Sequence, residues 1–229
     1  MEHRSQTCVK GSRLLCVARP RLHDDSLRAA LLDVASQQIS EHGESAVTVR
    51  GVAQAAGTSA SAVYALFGSR EELVAAVSIE GFRRFAEHLG SAPATGSPAE
   101  DLLNLGLAYR TSALADPHFY RVMFEGPATT GSAIPAVAEP TFDVLRQAVA
   151  RVLEAASREG SSTRLPPRAL QAAAEEASLV LWGLVHGLVS LELGGLLPGG
   201  PETSARRYEQ AILAVGPPLL RAAPCLAGP

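Results

Sequence analysis

Between residues 48 and 73 the chain runs TVRGVAQAAGTSASAVYALFGSREEL, a string that leaves little room for anything but short helices. Thr48 offers a hydroxyl that can cap a first helix, which Gly57 stops. A second helix runs from Ser59 to about Phe67 and stops at Gly68. Ser69 with Glu72 three residues on has the spacing of a capping box, so a third helix starts there. Gly57 permits the left-handed backbone that a tight turn between the first two helices needs. Val52, Ala53, Val63 and Phe67 can close a small core between them. Such a pair is a helix-turn-helix or a plain helical hairpin, and the pattern alone fits both.

The rest of the chain keeps the same period. Leu27, Leu31, Val34, Ala35 and Ile39 mark one helical face, with Asp24 or Asp25 available as a cap and Gly43 as a stop. The helix from Ser69 continues through Phe82 and Phe85 to Gly90. Residues 90–98, GSAPATGSP, form a linker, and Ser97-Pro98-Ala99-Glu100 opens the next helix with proline at its first position. Further helices are expected from Asp116-Pro117 to near Gly126, over about 140–159, and over roughly 167–193 and 203–215, with Pro217-Pro218 breaking or kinking the last. No stretch alternates like a half-buried strand. The expectation is an all-α fold of about nine helices: an N-terminal three-helix domain and a C-terminal helical domain. The expected divisions are an arm at 1–23, a helix-turn-helix domain at 24–85 with its motif at 48–67, and a second domain at 86–229.

Charge is uneven. The formal net charge is −3, yet residues 1–22 carry five basic residues against one acid. A basic arm on an acidic body fits nucleic-acid contact or a solvated tail. Residues 24–89 hold five arginines and nine acids, which works against phosphate attraction. Cys8, Cys16 and Cys225 lie at the two ends with no zinc or CxxC spacing, as expected of a reducing cytoplasm without a disulfide framework. Leu14–Ala18 is too short for a signal-peptide core, and Leu179–Leu193, interrupted by His186 and Glu192, reads as a buried helix rather than a membrane span. Lys10 is the only lysine among twenty basic residues, a composition consistent with GC-rich bacterial coding.

Thr48-Val49-Arg50, Ala53 with Ala56-Gly57, Ser59, Tyr64 with Phe67, and Gly68 through Leu73 together resemble the DNA-binding domain of the TetR family of bacterial repressors, over about residues 24–85. The resemblance implies contacts to double-stranded operator DNA. Thr48, Arg50, Thr58, Ser59 and Tyr64 would touch phosphate. Ala60, Ser61 and Ala62 would face base edges in the major groove, and Arg70 would clamp the DNA backbone from the following helix. Leu66 departs from the family, whose members often carry His or Tyr there. Arg19 and Arg21 are the arm residues best placed to enter the minor groove.

DPHFYRVMFEG at 116–126 and WGLVHGLVSLE at 182–192 resemble the C-terminal region of a TetR subgroup with a Trp/His/Gly signature. This implies a cytoplasmic homodimer that senses an unidentified small apolar molecule, a repressor released from its operator by that effector, with no cofactor, metal or membrane partner. Pocket candidates are Tyr109, Phe119, Met123, Phe142, Trp182 and His186, and dimer-interface candidates are Leu181, Leu184 and Leu188. Each of these residues also has an ordinary use as core. No GxSxG, P-loop, HExxH or di-iron Glu-x-x-His motif is present, so no enzyme is expected. The other reading is a helical small-molecule-binding or protein-interaction module that binds no operator.

Overall fold

A computed structural model of the chain describes residues 21–125, 134–160 and 166–226. Among these residues there are nine α-helices and no strand: α1 (Arg21–His42), α2 (Val49–Ala55), α3 (Ala60–Phe67), α4 (Arg70–Gly90), α5 (Pro98–Ala115), α6 (Pro117–Glu125), α7 (Ile134–Gly160), α8 (Pro167–Leu193) and α9 (Pro201–Leu226). A single 3-10 turn, Glu44–Ala46, joins α1 to α2. Cys8, Cys16, Arg19 and the Leu14–Ala18 run lie outside the described residues, and Arg21 opens α1.

Apolar side chains gather in three clusters. The first joins Leu31, Leu32 and Ala35 of α1 to Val52 of α2, Val63 and Phe67 of α3, and Leu73 and Val77 of α4. The second holds Phe82, Phe85 and Leu89 of α4 against α5, α6 and α8. The third packs Val149 and Leu153 of α7 on Ala173, Ala177 and Leu181 of α8 and Ala223 of α9. Helix α4 therefore serves the first cluster with its first half and the second with its last half, and the expected boundary at residue 85 falls inside it. Helix α6 is shared likewise, with Phe119 and Val122 in the first cluster and Tyr120 and Met123 in the second. At Gly81 a Cβ would stand 2.8 Å from Met123 Cγ, so this glycine lets α4 and α6 approach closely.

Two ends differ from expectation. Helix α1 begins at Arg21, ahead of Asp24 and Asp25, so neither is its cap. Helix α9 runs unbroken through Pro217 and Pro218 to Leu226. Each proline lacks the N–H that would bond the carbonyl four residues back. Those carbonyls belong to Leu213 and Ala214, which are exposed, as are both prolines, so water can satisfy them. Meanwhile Gly216, Leu219, Leu220 and Ala223 keep one face of α9 packed inward past the prolines. Helix α7 likewise starts ahead of the expected 140 and carries Pro140 inside it.

Candidate nucleic-acid interface and ligand cavity

The turn between α2 and α3 is built from its caps. Thr48 Oγ1 accepts from Gly51 N at 3.0 Å and Ser59 Oγ accepts from Ala62 N at 3.2 Å. Gly57 has φ +68°, a left-handed value that a side chain disfavours, and Thr58 N donates back to Ala53 O at 2.9 Å. Val63 and Phe67 anchor α3 inward. Its opposite face then presents Ser61, Tyr64 and Ala65, at the i, i+3, i+4 spacing of one helical stripe. Tyr64 is 54% exposed although aromatic, and Ser61 Oγ lies 2.9 Å from Ser59 Oγ. Thr48, Arg50 and Ser59 are exposed on the same motif, and Thr58 is half-buried.

Three members of the expected contact set are placed otherwise or in part. Ala60 packs against the first cluster, so its methyl is partly spent on the core, and Ala62 is half-buried. Arg70 points into the protein: its Nε donates to Val47 O at 2.8 Å and its Nη2 to Glu44 O, tying α4 to the connection ahead of α2. The guanidinium that was to clamp DNA thus fixes the entry into the helix-turn-helix. Ala65 shares this exposed stripe with Ser61 and Tyr64, at a spacing that could have been read from the sequence.

The second site is a cavity of about 610 Å³ lined by α4, α5, α6, α7, α8 and α9. Tyr109, Phe142 and Trp182 line it as expected, and Phe124, which was overlooked, lines it too. Phe119 and Met123 do not: they are 4% and 3% exposed and fill the contact of α6 with α4. His186 stands behind the cavity wall. Its Nδ1 lies 2.8 Å from the Tyr120 hydroxyl and 3.2 Å from that of Tyr109, and the two phenols are 3.1 Å apart. Burial pushes the Tyr109 phenol well above its ordinary value, so it stays a neutral hydrogen-bonding group. Leu181, expected at a subunit interface, is 5% exposed and packs inward on α7 and α9. Leu188 also packs on the second cluster, and Leu184 is half-buried. The exposed large apolar residues of α8 outside the cavity lining are instead Leu179, Val180 and Leu191. By length and composition alone α8 is apolar enough to cross a membrane, and 28% of its most apolar stretch is buried inside the protein.

An ion cluster lies between the two sites. Arg84 of α4 reaches Asp33 of α1 at 2.8 Å, Glu80 at 2.8 Å and Asp116 at 3.6 Å, with its guanidinium 4.3 Å from the centre of the Phe119 ring. Arg83 adds a second cation to Glu80 at 2.6 Å. Hydrogen bonds from Arg83 and Arg84 hold the buried Glu80 carboxyl down to about 2. His118 and Ser40 add an α6–α1 hydrogen bond at 3.2 Å. The Glu80 pair has an i, i+4 spacing visible in the sequence, but Asp33, Asp116 and Phe119 come from α1, the α5–α6 junction and α6, which the local sequence does not announce.

Such a chain falls in the class of helix-turn-helix proteins with a hollow helical region behind the motif. Residues 31–77 match the family described as bacterial regulatory proteins, tetR family, and residues 102–215 match the tetracyclin repressor-like C-terminal domain. The chain belongs to the TetR family. It is 24% identical over 125 residues to the HTH-type transcriptional regulator Rv1816 of Mycobacterium tuberculosis, covering 53% of this chain and 50% of that protein. The uncharacterized HTH-type transcriptional regulator Rv1556 of the same species is 42% identical over 76 residues, 33% of this chain and 36% of the other. The chain thus spans about half the length of the first of these curated relatives. Among solved structures, the protein SCO4313 is 28% identical with a TM-score of 0.65, covering 86% of this chain and 98% of that one.

Proposed function

We propose that this protein is a homodimeric transcriptional repressor of the bacterial cytoplasm that binds operator DNA through α3 and is released by a small apolar ligand held in the α4–α9 cavity. The observation that carries the DNA reading is the exposed Ser61–Tyr64–Ala65 stripe on a short helix whose start is fixed by Ser59 and Gly57. A recognition helix needs just such small side chains at the point of entry into the major groove. Thr48, Ser59 and Tyr64 supply hydroxyls for phosphate, and Arg50 supplies the motif's exposed cation. Residues 24–85 then act as the DNA-binding domain and residues 86–229 as the sensor and dimerisation domain, with Arg19 and Arg21 of the N-terminal arm reaching the minor groove.

Dimerisation is supported by the exposed Leu179, Val180 and Leu191 of α8. Ligand control acts through α4 and α6, which border the cavity side and carry the Arg84 cluster to α1. A ligand releases DNA only if it favours the arrangement that binds DNA less well. No catalytic role enters this reading.

Two variants test the contact assignments on DNA fragments recovered from the source genome. Tyr64→Phe weakens binding to all of them alike, by roughly 1 kcal/mol, because a phosphate contact carries no base information. Ser61→Ala changes the ranking among operator variants, with about 1–3 kcal/mol at stake. A changed ranking in Tyr64→Phe together with an unchanged one in Ser61→Ala would reverse the roles.

A further inference from the structure

The cavity is long and chemically lopsided. Along α7 it is lined from Ala138 to Ala156, a stretch of roughly 27 Å of helix. One end is aromatic, where Phe124, Phe142 and Trp182 meet: the Trp182 ring is 5.8 Å from Phe142 and 6.2 Å from Phe124. The other end lies where Val152 and Ala156 face Leu220 and Arg221 of α9. Between them the lining is almost wholly hydrocarbon. The Tyr109 hydroxyl is taken up by Tyr120 and His186, Thr141 adds one hydroxyl, and the exposed Glu139 beside the aromatic end is the one carboxylate of the lining. Arg221 differs. It is the only arginine or lysine among the lining residues, and among the described residues no carboxylate lies within ion-pair distance of it.

An apolar cavity running along α7, with an exposed guanidinium among its lining residues, is complementary to a molecule with the same asymmetry. Resting on the reading of this region as a ligand sensor, we propose that the cavity takes a single-chain amphiphile whose anionic head pairs with Arg221 and whose hydrocarbon tail runs between α5 and α7 toward Trp182. The guanidinium can hold a carboxylate through two parallel N–H donors. The tail gains by leaving water for the cavity in proportion to its length. Compact polar molecules gain nothing from this lining, and a cationic amphiphile would bring like charge against Arg221.

Trp182 is the chain's single tryptophan, so its emission reports occupancy directly. The experiment titrates the full chain, without DNA, with tetradecanoate, tetradecanol and tetradecylamine below their aggregation limits, and then with shorter acids. Tetradecanoate is expected to bind about tenfold tighter than the alcohol, as a charge-assisted pair allows. Each methylene removed from the acid weakens it by up to about fourfold. Arg221→Met abolishes the margin of acid over alcohol while leaving the alcohol unchanged, and Arg221→Glu turns the preference toward the amine. Arg221 is exposed, so neither variant threatens folding. Equal binding of acid and alcohol, a preference for the amine, or a margin that survives Arg221→Met overturns the proposal. A gel shift with genomic fragments runs separately: tight acid binding by a protein that retains no DNA would break the regulator reading alone, and DNA release by ligands indifferent to Arg221 would break this one alone.

Discussion

The helix-turn-helix and the region behind it solve opposite packing problems with the same alphabet. Around α2 and α3 a small core is closed completely, Val52 and Val63 being 0% and 1% exposed, and the useful residues are those left outside. Around α7 and α8 the apolar residues are numerous, yet they stop short of filling the space, and the useful residues line the hollow of about 610 Å³. A surface site is thus set by caps and glycines that aim a short helix. A cavity site is set by what several long helices fail to fill.

That contrast has an energetic consequence, and it gives the largest expected effect. Leu73→Ala, in the closed core, should cost about 3 kcal/mol, because it leaves a new void. Leu145→Ala, on the cavity wall, should cost less than about 1.5 kcal/mol, because its side chain already lacks neighbours on one side. Denaturant unfolding of both variants decides the matter; equal losses would mean that the cavity wall is packed as tightly as the motif.

The ion cluster joining the two regions predicts a pH signature. The Glu80 carboxyl is lowered in the fold from 4.5 to about 2. A carboxyl depressed by folding stabilises the fold above its unfolded value and loses that contribution as pH falls toward the folded value. Stability should therefore drop between 4.5 and about 2, by up to about 3 kcal/mol from this group. Glu80→Gln should remove that part of the acid limb and be less stable at neutral pH. Unfolding curves across that window check it, and an unaltered acid limb in Glu80→Gln would remove the cluster from the account.

What could be read in advance follows the same division. Thr48, Gly57, Ser59 and Ser69 act over three or four residues, so their sequence spacing determined the turn they make. Phe119 and Phe124 sit on one short helix that is apolar on several sides, and periodicity cannot say which side meets a neighbour and which meets a void. Leu181 and Leu184 differ in the same way: both lie on α8, and only the placement of α7 and α9 turns Leu181 inward. Arg70 and Arg84 spend their guanidiniums on groups distant in sequence, such as Val47 and Asp33, which no local pattern announces. At Pro217-Pro218 a local rule was overridden where Leu213, Ala214 and both prolines are exposed, so that water can satisfy the freed carbonyls.

A smaller effect probes the motif alone. Gly57→Ala should cost about 1 kcal/mol at φ +68°, with no clash, since nothing stands within 4 Å of the added carbon. The same unfolding assay reads it, and a neutral or stabilising result would mean that the turn relaxes to an ordinary backbone.

The central claim, that α3 is a recognition helix carried by a rigid dimer, is tested most directly by footprinting the purified protein on its genomic fragments. The account predicts two protected half-sites in pseudo-palindromic array, centred about 34 Å or a multiple of it apart, with protection fading steeply as salt rises. A single protected half-site would contradict the dimer, and the absence of any protected site would contradict the recognition helix itself.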